Sequence, residues 1–341
     1  STLFPYTTLF RSPAGDAKAA LPDTSALKAA IAAHPDAYNL GAQGPDFFFY
    51  DLLPVPGRHN FHIKYGSLIH GNAVDAFFTA GWRACRALAG HAREIAAAYL
   101  AGFTVHHCLD SQAHPFIYYH TGQYQHDKAT RIFAYLHKYF EVLLDTAYLQ
   151  NEYQMLAVDC DFKKCFAVTR EALAVLEPLI IRIMRETFGV PLHPGDVTLA
   201  VRGACAVASL LADPNDRKKK CLRPIEHLVR EDLALSRALY PQYTNEPLVL
   251  NLAHNPWRHP VTGEVRSESY VDLMHSAKKR AVARFENLEA IAAGDAPVTA
   301  EAIHKLYSNA SYLTGLDLDM DQTMQYFDII FLKHAHLLNG F

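Results

Sequence analysis

The sequence predicts an all-α fold, a helical bundle with an additional helical region on its C-terminal side. Three observations carry this expectation. Ala and Leu dominate, Gly is sparse, and few stretches alternate apolar and polar residues with period two. Apolar residues recur instead at intervals of three and four, the period of a helix buried on one face. The ends of these runs also carry helix punctuation.

In chain order, helices are expected at about 24–34, 69–88, 90–112, 125–150, 163–188, 195–212, 223–238, 268–293, 299–307 and 318–337. Asp23-Thr24-Ser25 can cap the first. The second opens around His70-Gly71. The third carries GFTVHHCLD and is expected to stop near Pro115, which has no amide donor. The fourth, through HKYFEVLLD, is largely apolar at Leu136, Phe140, Leu143 and Leu144. The fifth includes Leu173–Val190, interrupted by Glu177, Arg182, Arg185 and Glu186, so it reads as a buried amphipathic helix and not a bilayer span. Gly189 follows the fifth and Pro214 the sixth. Loops are expected at Phe47–Gly57, with its two prolines, at the polar connector Asp213–Lys220, and at Leu248–Glu268, with a turn at Thr262-Gly263. A soft boundary near residue 190 separates a ligand-rich region, 13–190, from a helical region, 191–341, expected to pack on it.

The chain has 341 residues, enough for one large or two modest domains. A net charge of −3 argues against a basic nucleic-acid binder, and no specific nucleic-acid partner is expected. The six cysteines show no CxxC pair, and Cys108 and Cys205 sit in apolar runs. Free thiols favour a reducing, cytoplasmic compartment. Secretion stays open because of the N-terminal segment. Residues Thr2–Ser12 read TLFPYTTLFRS, the in-frame translation of a common short-read sequencing adapter. Residues 1–12 are therefore expected to be an artefact in place of the natural N-terminus, and they do not enter the fold argument.

The chemistry concentrates in two helices. His106, Asp110 and His114 are spaced by four, as are His137 and Glu141. Such spacing stacks side chains on one helix face, and two such faces turned inward can build a metal cluster inside a bundle. Imidazoles and carboxylates are the ligands zinc takes. Asp145 continues the second face and is expected to orient a ligand histidine. Asp46 follows Gly44-Pro45 and precedes a run of aromatics, an unusual place for a solvated carboxylate. His70 competes with His59 and His62 as a further ligand, and spacing alone does not choose among them. Arg217–Lys220 reads as a solvated loop and His254–Pro260 as a packed structural loop.

GAQGPDFFFY, YGSLIHG, GFTVHHCLDSQAHPFIYY and HKYFEVLLD occur in that order. Over residues 35–150 the chain thereby resembles the zinc-dependent phospholipase C family, in particular its compact bacterial branch. The likeness extends more loosely through YVDLMHSAKKRA near 270. It implies a multinuclear zinc site in which Asp46, His70, His106 and Asp110 hold one ion, and His114, His137 and Glu141 hold a second with water. Asp110 would also reach toward a third zinc that needs a histidine near the N-terminus. No histidine precedes His34, so that site is expected to be incomplete. Phe47 would line the headgroup pocket. The family's second pocket aromatic is Ser67 here, which does not support a choline cage.

The implied activity is zinc-dependent phosphodiester hydrolysis, most directly of a phospholipid headgroup. Asp46, Asp110 and Glu141 would be its catalytic carboxylates, and the enzyme would touch a membrane surface peripherally. Other readings use the same residues. A single-strand nuclease would need aromatic platforms and a basic groove. Another phosphoesterase is compatible, as is a metal-binding protein without turnover, given the lost N-terminal ligand. Oligomeric state is not legible.

Overall fold

The computed structural model describes residues 21–51, 63–125, 127–211, 217–228 and 239–339. Residues 1–12, His59 and His62 lie outside the described residues. The fold is all-α, with β structure among the described residues limited to a short antiparallel pair, β1 (Trp257–Arg258) and β2 (Val265–Arg266), and an isolated bridge.

The axis of the molecule is a 32-residue helix, Gly90–Thr121, about 48 Å long. It follows α1 (Ala26–Ala33), α2 (Pro35–Ala42), α3 (Ile63–Gly71) and α4 (Val74–Arg86), and is labelled α5. From Ile95 to Ile117 it is buried on every side, so other elements must surround it. Helix α2 crosses it at van der Waals range. A Cβ on Gly41 would fall 2.0 Å from the Tyr99 carbonyl oxygen, and one on Gly102 would fall 2.1 Å from that of Tyr38. Glycine on both helices permits this backbone contact. Helix α6 (Arg131–Tyr153) packs beside α5, α7 (Arg170–Phe188) packs on α4, and a 3-10 turn, Asp46–Tyr50, lies between α3 and α8 (Asp196–Ala208). Beyond α9 (Arg217–Leu228) and the short α10 (Glu246–Val249) come α11 (Tyr270–Ala293), on α5, and α12 (Ala300–Tyr307), on α4. Helix α11 begins with a capping box between Ser269 and Asp272. One hydrophobic core runs from Leu21 to Leu337.

Several expectations are corrected. Helix α5 does not stop at Pro115 but continues to Thr121, where Gly122 caps it at φ 78°. Proline leaves the carbonyl four residues back without its helical partner. That carbonyl, Ser111, is where Gly315 of the C-terminal segment comes closest, with no room for a Cβ. The expected helix 69–88 is two helices, broken at Ala73 with φ 51°. Pro35 starts a helix that the apolar pattern did not suggest, at the position proline tolerates. Helix α6 starts at Arg131, after a turn in which Thr130 donates to Asp127. Helix α7 starts at Arg170, capped by Thr169, and Phe162–Cys165 form a separate 3-10 turn. Arg217–Lys220 open α9 and are not a loop.

The helix expected over 318–337 reduces to α13 (Ile330–Lys333) and α14 (His336–Asn339). Asp317 and Asp321 accept from backbone amides two residues on, which competes with helix. The amides of Gln325, Tyr326 and Asp328 are taken by the carbonyls of Pro260 and Tyr119. His254–Pro260 is a packed hairpin arm: Trp257 is buried edge-on to Phe116, and His259 bonds to the Thr314 carbonyl. Among the described residues no helix is long and apolar enough to cross a membrane, and no disulfide forms.

Candidate metal centre

Four elements deliver seven side chains to one buried centre. Helix α5 presents His106, Asp110 and His114 from successive turns, and α6 presents His137 and Glu141. His70 comes from the last turn of α3, and Asp46 from the first residue of the 3-10 turn. All seven are buried.

Their ligand atoms fall into two groups, Asp46–His70–His106 and His114–His137–Glu141, and within each the atoms lie within 4.8 Å of one another. Asp110 stands between the groups. Its Oδ2 is 3.3 Å from His70 Nε2, 3.3 Å from His106 Nε2 and 3.5 Å from His114 Nδ1. His70 Nε2 is 3.4 Å from Asp46 Oδ1, and His137 Nε2 is 3.0 Å from Glu141 Oε1.

These groups fit metal ions on three observations. First, the ion pairs that Asp46, Asp110 and Glu141 make are with imidazoles, and the buried Lys138 ammonium lies within electrostatic reach of Glu141 alone of the three. Buried carboxylates need a compensating cation. Second, Asp46 Oδ1 and Asp110 Oδ1 accept no hydrogen bond despite complete burial. Third, two histidines are held as ligand histidines are held, with one ring nitrogen on a carbonyl and the other turned inward. His70 Nδ1 is 2.8 Å from the Gly66 carbonyl, and His114 Nδ1 is 2.9 Å from that of Tyr312. Buried His and carboxylate groups in this arrangement could hold metal ions.

Burial and mutual proximity set the electrostatics of these side chains. Burial pushes the Asp46 carboxyl well above the usual carboxylate range, with Asp110 and Glu141 adding to the shift. Burial works against charge on Asp110 as well, but His106, His114 and His70 outweigh it and hold its pKa below normal. Burial brings His106 down to about 3, against the opposing pull of Asp110. For His114 burial is outweighed by Asp110 and Glu141, and the pKa rises to about 9.

Gly44 gives the cluster its tightest contact. At φ +55° a Cβ there would lie 2.1 Å from His106 Cδ2, so only glycine lets the turn before Asp46 lie against that ring.

A cavity of about 180 Å³ adjoins the centre. His70 and His137, one from each group, form part of its wall with Phe49, Ser67, Tyr118 and Phe133. Phe47, expected on this wall, is instead fully buried against Phe48. The reason is local. In a 3-10 turn residues three apart eclipse one another, so Asp46 and Phe49 share a face. Phe49 accordingly stacks on His70 at 5.8 Å. Sequence reasoning missed Phe49, Tyr118 and Phe133; the FFFY run would have pointed to Phe49 had a 3-10 period been applied. It also missed the two orienting carbonyls, which have no sequence signature. Asp145, expected to orient a ligand histidine, accepts a hydrogen bond from Tyr240.

Comparison with protein-family models, curated proteins and solved structures found no match.

Proposed function

We propose that this protein is a zinc-dependent phosphodiester hydrolase acting on a phospholipid headgroup. The observation that supports this most is the pairing of two buried His–carboxylate groups about Asp110, with one histidine of each on the wall of an aromatic cavity. The His-rich donor set suits zinc better than magnesium or calcium, which take oxygen. Bound zinc supplies positive charge that polarises a phosphoryl oxygen and acidifies water.

The chain's own residues have distinct tasks in this reading. Asp46, His70, His106, His114, His137 and Glu141 hold the two ions, and Asp110 faces both. The Gly66 and Tyr312 carbonyls orient His70 and His114. Phe49, Tyr118 and Phe133 exclude water beside the reacting phosphate and offer apolar surface to a diester substituent. The likeness of the motifs to zinc-dependent phospholipases C supports a lipid substrate.

The same aromatic wall favours a second reading, a single-strand nuclease, because base stacking needs such surfaces. The net charge of −3 weighs against it. The test is a side-by-side assay of the zinc-loaded protein on phosphatidylcholine micelles and on single-stranded DNA, with and without a chelator. Chelator-sensitive lipid hydrolysis supports the proposal. Faster DNA cleavage favours the nuclease, and tight zinc binding without turnover on either substrate leaves a metal-binding protein.

A further inference from the structure

A second cluster of potential ligands lies at the other end of α5. His91 precedes His106 by fifteen positions, which separates them by about 22 Å along the helix. His34, His91 and Glu94 gather there with ligand atoms within 4.8 Å of one another.

His34 is the joint between α1 and α2, serving as the C-cap of one and the N-cap of the other. Its side chain is 9% exposed, and Nε2 has no hydrogen-bond partner. That nitrogen lies 3.6 Å from Glu94 Oε2. His91 Nδ1 approaches the same oxygen at 3.6 Å. The two imidazoles meet edge to face, with centroids 4.4 Å apart. Ligands about 2.0–2.1 Å from a tetrahedral zinc are roughly 3.4 Å from one another, so the two 3.6 Å separations need little adjustment.

The remaining nitrogen of His91 supplies an independent sign. Nε2 lies 3.0 Å from Glu171 Oε1, in the first turn of α7. A carboxylate on the far nitrogen is how metal-bound histidines are oriented and made more basic.

We propose that His34 Nε2, His91 Nδ1 and the Glu94 carboxylate form a peripheral site for a borderline divalent cation such as zinc, with Glu171 holding the His91 ring. Half-exposed His91 and Glu94 leave the remaining coordination position to solvent, so the ion exchanges. It ties the α1–α2 joint to the start of α5 and, through Glu171, to the start of α7. This site does not depend on the activity proposed for the central one.

The competing arrangement is a protonated His91 bridging Glu94 and Glu171 without metal. The full chain should be titrated with zinc, its bound zinc counted by elemental analysis after dialysis, and its melting temperature followed at each step. His91→Ala and Glu94→Gln change half-exposed side chains and should leave the fold intact. Each should lose one equivalent of zinc and one zinc-dependent step in melting temperature, with the central equivalents retained. Glu171→Gln should keep the equivalent but weaken it by about 10- to 100-fold. If His91→Ala and Glu94→Gln bind as much zinc as tightly as the unaltered protein, the site does not exist. If an imidazolium signature on His91 persists at saturating zinc, the bridging arrangement is the right one.

Discussion

His114 Nδ1 lies 2.9 Å from the carbonyl oxygen of Tyr312, a residue 198 positions further along the chain. The contact aims His114 Nε2 at Glu141 and makes the C-terminal segment part of the centre. The Tyr312 ring also sits 5.2 Å from that of His70 and 5.7 Å from that of His106. Tyr312 lies in a turn closed by the Gly315 amide, which donates to the Ser311 carbonyl, and Gly315 passes against Ser111.

Gly315→Ala should therefore act on metal binding from outside the ligand set. The new Cβ would fall 2.3 Å from the Ser111 oxygen, at a residue with φ +70°. The left-handed backbone alone should cost roughly 1–2 kcal/mol. Displacing the Tyr312 carbonyl should weaken the His114–His137–Glu141 ion by about 10- to 100-fold. Calorimetric zinc titration of the variant checks this; unchanged affinity would mean that the carbonyl does not orient His114.

Zinc binding should depend on pH through His114. Its pKa in the metal-free fold is raised to about 9 from an ordinary 6.5. A raised histidine pKa stabilises the metal-free protein fully below about pH 6.5, and the contribution fades as pH rises through 9. Zinc must displace that proton, so each unit of pH below 9 should weaken binding at this group by about tenfold. Calorimetry at pH 7 in buffers of different ionisation enthalpy should count a proton released with this ion.

Stripping the metal should lower stability more at neutral than at acid pH, because Asp46, Asp110 and Glu141 then share a buried space in which protonated His114 balances only part of their charge. Thermal melts with and without a chelator, at pH 5 and pH 7.5, should show the larger gap at pH 7.5. An equal gap at both would separate metal binding from these carboxylates.

His137→Ala removes a ligand and opens the cavity wall together. Hydrolysis should fall by more than about 100-fold, the upper end for partners that merely orient a ligand. Phe133→Ala removes wall without touching a ligand, so KM should rise while zinc stoichiometry stays constant. If Phe133→Ala lowers kcat and zinc content and leaves KM alone, the cavity is not where substrate binds.

Much of the centre was legible because helical spacing is a geometric rule. His106, Asp110 and His114 are four apart, as are His137 and Glu141, so their shared faces follow from the helix repeat. Asp46 stands out locally as a carboxylate between a Gly-Pro turn and a run of aromatics, whereas the choice of His70 over His59 and His62 rests on motif likeness, since no periodicity links a 3-10 turn to a helix end. Local rules failed where distant chain intervened. Pro115 reads locally as a stop, yet Phe116 just beyond it is buried against Phe140 and Trp257, contacts that neighbouring residues do not reveal. The stretch before Ile330 looked helical because the carbonyls of Pro260 and Tyr119 that claim its amides lie far away in sequence. Phe49 was overlooked for a different reason: the prolines after Tyr50 suggested an irregular loop, and a loop has no period.

The central groups draw on one uninterrupted stretch of α5, and this has a consequence for how the sequence can vary. His106 and His114 are about 12 Å apart along one rod, and that offset is written in backbone hydrogen bonds. One residue inserted anywhere from 107 to 113 would swing His114 and everything beyond it by about 100° around the rod. Side chains there other than Asp110 can be exchanged for ones of similar size, but a change of length cannot be absorbed. The turn at 127–130 before α6, where the Thr130 amide donates to Asp127, should accept insertions as long as α6 still docks in register. Related chains should therefore differ in length at that turn and never within the rod.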